Sequence, residues 1–567
     1  MTTEKAQSQR LGSARQLTDI LASVSKSAVE AASRLTEGGR TIDDHQVHAE
    51  RVALLATDAT AASELVAYAE AQASRGAPDD LTEDEAFAFA AEALHKARNA
   101  IEADPETFNI DASIADSILT DDVRDLIRNG TSEAFLREIG RRVIDARGAF
   151  TAILDDEIAN MTRDHARDFA RSEVAPIAQD MHREDFLVPE DLIQKMAGIG
   201  LFGSSIPETY GGTQMGYQTM CVLTEELSTV SLVAGSLITR SEILTRALLS
   251  GGTEEQRQTW LPRIASGELL VGVAVTEPDV GSDVGSLACK ATRGEHDGKS
   301  GWFIEGPKAW STFAGRANIL ALLARTGEMA EGNRGLTLFI VPKDVYEGHH
   351  FEHTQPEGGV IQGTANPTPG YRGMHSFTLA IDRYFVPDEN LVGGEAGLGR
   401  GFYMQMGGFE AGRLQTGARA TGVSQASIEK ACNYSSDRKQ FGKPLADYQL
   451  TQYKIGRMAA YTAAGRHLTY AAAREMECDE SERSSAELRT RPGSGTLKAA
   501  MCKLFASDVA IWVSQEGMLL HGGWGYSEED PIARFTVDAL VLPIFEGVKP
   551  ILELKVIARQ LLAGQAT

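Results

Sequence analysis

From about Gln16 to Met161 the apolar positions recur at helical spacing among Ala, Leu, Glu, Asp and Arg, with almost no β-branched runs, which predicts a set of amphipathic helices. Helical periodicity continues over 162–270 with breaks at IPETYGG and LSGGTEEQ, and in the second Thr253 and Gln256 fit a capping box that opens a new helix. At about Val271 the period changes. Segments such as GWFIEG, NILALLAR, LTLFIVPK and FTLAIDRYFVP alternate or run apolar between Gly, Pro, Asn and Asp, which predicts strands as far as about Val392. From Gly394 to Thr567 the helical period returns, with Ile455, Met458, Ala459, Thr462 and Leu468 on one stripe. The pattern predicts an α+β protein, mainly α. It has a helical extension over 1–150, a helical domain over 151–270, a β domain over 271–393 and a C-terminal helical bundle over 394–567.

The first and last of these regions share letters. GRTIDDHQVHAERVALLATDATAASEL laid over GKPLADYQLTQYKIGRMAAYTAAGRHL matches Gly39 with Gly442, Asp44 with Asp447, Gln46 with Gln449, Val52 with Ile455 and Ala56 with Ala459, all at one offset of 403. Either the bundle was duplicated or two Ala-rich helices look alike by composition. On the first reading the N-terminal copy has lost two side chains, because Arg438 and Phe441 fall opposite Leu35 and Gly38.

A chain of 567 residues is too long for one core and calls for several domains. Its formal charge of −24 speaks against a general nucleic-acid or anionic-membrane surface, so a polyanionic ligand must meet a local cluster of Lys and Arg. The cysteines (Cys221, Cys289, Cys432, Cys478, Cys502) form no CxxC pair and no zinc spacing, and are expected to be reduced thiols. The N-terminus has no apolar run of signal-peptide length, so the expectation is a soluble, cytoplasmic protein with neither a nucleic-acid nor a membrane partner.

Candidate chemistry gathers in VAVTEPDVGSD, KAWST, DRKQFGKPLADYQ and LHGGWGYSEEDPIAR, the last running on to IFEG. Taken alone, the lone acid in that tail, Glu546, reads either as a favourable charge at a helix start or as a desolvated base. The four stretches in this order resemble the acyl-CoA dehydrogenases over about residues 155–564. The resemblance implies FAD, an acyl-CoA substrate, electron-transferring flavoprotein as the electron acceptor, and a homodimer. By the same resemblance Val275, Thr276, Gly281 and Ser282 contact the flavin, with Ser282 near the thioester. Trp310 lies against the ring system, and Thr312 bonds near its redox-active nitrogen. Arg438 reaches the diphosphate of a partner's FAD with Phe441 and Gln449 beside it, while Gly522 and Gly523 let backbone approach the cofactor. Two departures stand out: Leu519 where the family usually has Gln, and Val548 where it usually has Thr after Glu-Gly.

The family places its base either in F/Y-E-G or just before the arginine matching Arg413, here a substrate-binding candidate. Gly412 occupies that second position, and Glu410, three residues from Arg413, points to another part of the helix face. Glu546 is therefore the expected base, taking the α-proton of the thioester while hydride leaves the β-carbon for FAD. The N-terminal extension and the insertion HTQPEGGVIQGTANPTPGYRGMHS resemble the branch that oxidises (2S)-methylsuccinyl-CoA to mesaconyl-CoA in the ethylmalonyl-CoA pathway. Such a substrate needs a cation for its free carboxylate, and Arg240, then Arg372, are the candidates. Another short-chain or dicarboxylic acyl-CoA dehydrogenase, an acyl-CoA oxidase, or a catalytically silent protein of the same fold are the alternatives.

Overall fold

The punctuation at Thr253 does what its letters demand. The Gln256 N–H donates to Thr253 Oγ1, the Thr253 N–H donates to Gln256 Oε1, and a helix starts there. The computed structural model of the protein describes residues 3–108, 119–154, 156–482 and 494–564. It forms two compact units, Met1–Asp156 with Thr416–Thr567, and Glu157–Gln415.

The first unit begins with α1 (Thr3–Leu35), α2 (Gln46–Ser74), α3 (Asp80–Ala103), α4 (Asp121–Gly130) and α5 (Glu133–Asp145). Ala14, Leu17, Leu21, Val24 and Ala28, alternately three and four residues apart, are buried along α1 where it meets α2 and α3. Among the described helices α2 alone is long and apolar enough to cross a membrane, yet Val52, Leu55, Leu65 and Val66 are buried within the unit.

In the second unit, helices α6 (Glu157–Phe169), α7 (Ala175–Arg183), α8 (Glu190–Gly198), α9 (Gly216–Ser228), α10 (Leu232–Leu237), α11 (Glu242–Gly251) and α12 (Glu254–Ala265) precede a mixed sheet. The strands are β1 (Val271–Ala274), β2 (Lys290–His296), β3 (Lys299–Thr312), β4 (Ile319–Arg325), β5 (Leu336–Pro342), β6 (His350–Thr354), β7 (Val360–Ala365) and β8 (Ser376–Pro387). They lie in the order β1-β4-β2-β3-β8-β7-β6, with β5 also paired to β4. β4 is buried at every position, as its unbroken apolar run requires of a strand covered on both faces. Its Ile319, Ala321 and Leu323 share a core with Leu336, Leu338 and Ile340 of β5 and with Leu244, Leu248, Leu261 and Ile264 of α11 and α12. The insertion after β5 contributes the antiparallel hairpin β6–β7, paired onto β8.

The chain then follows α13 (Gly401–Asp437), a small hairpin of β9 (Lys439–Gln440) and β10 (Lys443–Pro444), α14 (Gln449–Glu482), α15 (Ser494–His521) and α16 (Pro531–Ala539). A last helix runs from Lys549–Ile551 through a π-helical stretch, Leu552–Ala558, to Arg559–Ala563. Within the first unit α5 packs on α14 at two glycines, Gly140 and Gly456, and Arg457 of α14 grips Glu92 of α3 through two hydrogen bonds of 2.8 and 2.9 Å.

The shared letters extend to geometry. Single 3₁₀ turns occur at Ile42–Asp44 and Leu445–Asp447, and α2 and α14 start at Gln46 and Gln449, all at the offset of 403. The His45 N–H donates to Ile42 O and the Tyr448 N–H to Leu445 O, each at 3.1 Å. Gly38 and Phe441 occupy matching left-handed positions, φ +70° and +51°, so the ring at 441 sits where the other copy has the residue best suited to that conformation. The five cysteines are free, Cys478 exposed and the others buried, and burial pushes the Cys289 thiol up to about 11.

Candidate active site

In the second unit, one buried ion pair joins two of the chemistry-bearing stretches. Beyond β1 the chain reverses over Glu277–Val280, whose backbones exchange hydrogen bonds of 2.9 and 3.2 Å. The buried Glu277 carboxylate accepts from the Ala288 and Cys289 N–H groups at 2.8 Å and from the fully buried Lys308 ammonium at 2.9 Å. Lys308 also donates to Val275 O at 2.9 Å, and the Ala309 N–H to Thr276 O at 2.8 Å. TEPDVGSD and KAWST are thereby held side by side. Removing either charge would leave the other buried without compensation.

Past Lys308 the pairing of β3 with β8 slips between Lys308 and Ser311, and Trp310 takes φ +55°. This bulge turns the indole outward to 59% exposure between the buried Ala309 and Ser311. Thr312 Oγ1 lies 2.9 Å from Ser376 Oγ across the strand pair. Val275 is buried, Thr276 half-buried, and Gly281 and Ser282 are exposed. A Cβ on Gly281 would have one heavy atom within 4 Å, Thr276 Cγ2 at 3.9 Å, so the turn is open. An uncovered indole face beside an open turn carrying hydroxyls suits a planar aromatic ring with polar edges.

The two cation candidates differ. Arg240, on the turn between α10 and α11, is half-buried and lines a small, mostly apolar cavity with Phe202, Leu237, Leu270 and Phe313. The Arg372 guanidinium is engaged by the protein, 3.1 Å from His182 O, 3.3 Å from Thr368 O and 3.5 Å from the Asp185 carboxylate. Arg413 is buried on α13.

In the first unit, Arg438, Phe441 and Gln449 are exposed around the β9–β10 hairpin, and Phe441 at its tip is 96% exposed. The loop is well tied, with the Leu445 N–H donating to Arg438 O at 2.8 Å and the Tyr448 hydroxyl to Gln440 O at 2.6 Å. An aromatic ring held in water by a braced turn is a surface made for another molecule. Gly522, at φ +63°, and Gly523 follow α15, and neither has a heavy atom within 4 Å of where a Cβ would stand. Leu519 is exposed on the last turns of α15, presenting hydrocarbon where a glutamine amide would offer hydrogen bonds.

Glu546 lies in the turn between α16 and the last helix, half-buried, at φ +56°, followed by Gly547 at φ +105°. A left-handed glutamate costs about 1 kcal/mol or more. The conformation is braced on both sides. Lys503 Nζ donates to Gly547 O at 2.7 Å, and the Arg419 guanidinium stacks on the Phe545 ring at 4.9 Å. The following helix has Val548, not Glu546, at its N-cap. Glu277 and Lys308 lie within the quoted motifs but not among their expected contacts, whereas Lys503 and Arg419 lie outside every motif and show only as single charges within helices.

The second unit thus carries an exposed indole beside an open, hydroxyl-bearing turn, and the first carries a constrained carboxylate. Family models for the N-terminal, middle and C-terminal domains of acyl-CoA dehydrogenases match residues 156–268, 272–382 and 399–562. A (2S)-methylsuccinyl-CoA dehydrogenase from Cereibacter sphaeroides is 38% identical over 443 residues, 78% of this chain and 76% of that protein. Butyryl-CoA dehydrogenase from Megasphaera elsdenii superposes with a TM-score of 0.62 at 29% identity, covering 72% of this chain and 98% of the other. A chain from the electron transferring flavoprotein structure of Acidaminococcus fermentans gives a TM-score of 0.62 at 28% identity, covering 72% and 99%. The chain belongs to the acyl-CoA dehydrogenase family, oxidoreductases that act on CH–CH bonds and are flavoproteins.

Proposed function

We propose that this protein is an FAD-dependent dehydrogenase of a short, branched dicarboxylic acyl-CoA, (2S)-methylsuccinyl-CoA, which it converts to mesaconyl-CoA in the ethylmalonyl-CoA pathway. The observation that carries the substrate reading is the 38% identity, across 78% of the chain, to a (2S)-methylsuccinyl-CoA dehydrogenase.

FAD fits the residues present: the outward Trp310, the open Gly281–Ser282 turn, the unobstructed Gly522 and Gly523, and the exposed Arg438. Val275, Thr276, Ser282, Trp310 and Thr312 would hold its ring system. Arg438, with Phe441 and Gln449, would reach the diphosphate bound to a second copy, which makes the working form a homodimer. When bound, FAD would supply the acceptor for the β-hydrogen, which leaves as hydride. Glu546 takes the α-proton onto its carboxylate, and a hydrogen bond from its backbone N–H to the thioester carbonyl would lower the cost of the enolate. Arg240, at its apolar cavity, pairs with the distal carboxylate, and Arg413 contacts the substrate from α13. The electrons pass to an electron-transferring flavoprotein, and the protein works in the cytoplasm.

Titrating the purified yellow protein with a panel of acyl-CoAs tests the reading. Methylsuccinyl-CoA should bleach the flavin band at the lowest concentration. Bleaching by butyryl-CoA with none by methylsuccinyl-CoA would overturn the substrate assignment, and peroxide formation in place of flavoprotein reduction would make the enzyme an oxidase.

A further inference from the structure

We propose that Asp185, His349 and His375 form a binding site for one divalent transition-metal ion of the zinc class, which clips the helices of the second unit to its sheet. The three side chains come from distant parts of the chain. Asp185 lies in the turn between α7 and α8, His349 just before β6 and His375 just before β8. One donor atom from each lies within 4.8 Å of the other two. His375 Nε2 is 3.0 Å from Asp185 Oδ1, and His349 Nε2 is 3.9 Å from Asp185 Oδ2. Around a tetrahedral zinc ion with bonds of about 2.0–2.2 Å, neighbouring donors stand about 3.3–3.6 Å apart, so shifts of about 1 Å would close the cluster on an ion. Two imidazoles and a carboxylate suit such an ion better than magnesium or calcium, which take oxygen ligands. His375 is buried while Asp185 and His349 are half-exposed, so the site opens to solvent on one side.

The scaffold holds all three ligands in place. The Phe313 N–H donates to His375 O at 2.8 Å, the Ala365 N–H to His349 O at 2.8 Å, and the Val188 N–H to Gly373 O at 3.0 Å. Asp185 and His375 both take left-handed backbone, φ +53° and +36°, which is costly for a residue with a Cβ and persists where its surroundings impose it. The two imidazole rings lie 4.6 Å apart. In the absence of an ion His375 Nε2–H donates to the Asp185 carboxylate and His349 Nε2–H to Asp185 O at 2.9 Å, so an ion must displace both protons from the nitrogens that bind it. Arg372 is the competing cation, with Nε 3.5 Å from Asp185 Oδ1, and hydrogen bonds to His182 O and Thr368 O tie it to one side. A filled site would fix His375 one residue before Ser376, whose hydroxyl meets that of Thr312.

The test is equilibrium binding of Zn²⁺ to the FAD-loaded protein after dialysis against EDTA, read by calorimetry and by metal analysis after gel filtration, with Asp185→Asn and His349→Gln beside the parent. Asparagine tolerates the left-handed angle at 185 while removing the charge. The parent should bind one Zn²⁺ per chain at least about tenfold more tightly than either variant. Zn²⁺ should also raise the melting temperature of the parent, and both variants should lose that rise. Equal zinc binding by the parent and both variants would assign the ion to other histidines or to the exposed Cys478 and overturn the proposal. Zinc not retained by the parent would overturn it too, leaving a hydrogen-bonded cluster. If Asp185→Asn does not fold, His349→Gln, at the rim, reads the same site.

Discussion

Gly140→Ala adds one methyl group where α5 crosses α14, and the geometry states what it meets. The new Cβ would stand 1.8 Å from the Gln452 carbonyl oxygen and 2.7 Å from its carbon, and a Cβ built on the partner position, Gly456, would stand 2.0 Å from Leu136 O. A helix carbonyl cannot swing aside, so α5 must retreat by about 1 Å, losing dispersion contacts along the whole crossing. Overpacking of this kind costs about 1–3 kcal/mol, and the absence of any flexible neighbour puts the expectation at about 3, less up to about 1 regained from alanine's better helix propensity. The expected net loss of about 2 kcal/mol should lower the melting temperature of this unit by roughly 3 °C, followed by circular dichroism and checked in urea. Gly12→Ala is the control. Gly12 is exposed on α1 with nothing within 4 Å of its missing Cβ, so the same change should stabilise by up to about 1 kcal/mol. A Gly140→Ala protein as stable as its parent would show that the two helices do not approach at these glycines.

Glu546→Gln should keep its flavin spectrum and lose at least about a hundredfold in turnover, and substrate bleaching at the parental rate would remove Glu546 as the base. Arg240→Ala should raise KM for methylsuccinyl-CoA far more than for a monocarboxylic acyl-CoA, while Arg372→Ala should act mainly on stability. Equal loss for both substrates in Arg240→Ala would end the carboxylate assignment. Glu85, buried on α3, has its carboxyl pushed up from 4.5 to about 8, chiefly by burial and then by the charge of Asp79. Because the folded value is the higher one, stability is lost as pH rises from about 4.5 through about 8. Glu85→Gln should therefore raise the melting temperature clearly at pH 8 and hardly at pH 5, and an equal change at both would contradict the assignment.

The sequence made legible whatever is written in consecutive letters. The capping box at Thr253, the all-apolar run of β4 and the repeated turns at 42–44 and 445–447 each follow from local pattern. The hairpin β6–β7 was not legible, because HFEHT and VIQGTA bury little beyond Phe351 and Ile361 and depend on β8 for their pairing. Trp310 could be singled out by its motif, but its outward turn is set by a slipped register with β8. Lys308, Arg419 and Lys503 look like ordinary polar residues until the fold delivers Glu277, Phe545 and Gly547 to them from 31 to 126 positions away.

One unit of this protein is assembled from the two extremes of its chain, with residues 157–415 standing between them. During synthesis the intervening segment is complete, and free to fold, before the final quarter has left the ribosome. Until then α2 has no α14 to rest on and leaves an apolar helical surface waiting in the nascent protein. The beginning of the chain must therefore wait for its end before this unit can close its core, and a truncation at either terminus should destabilise the unit.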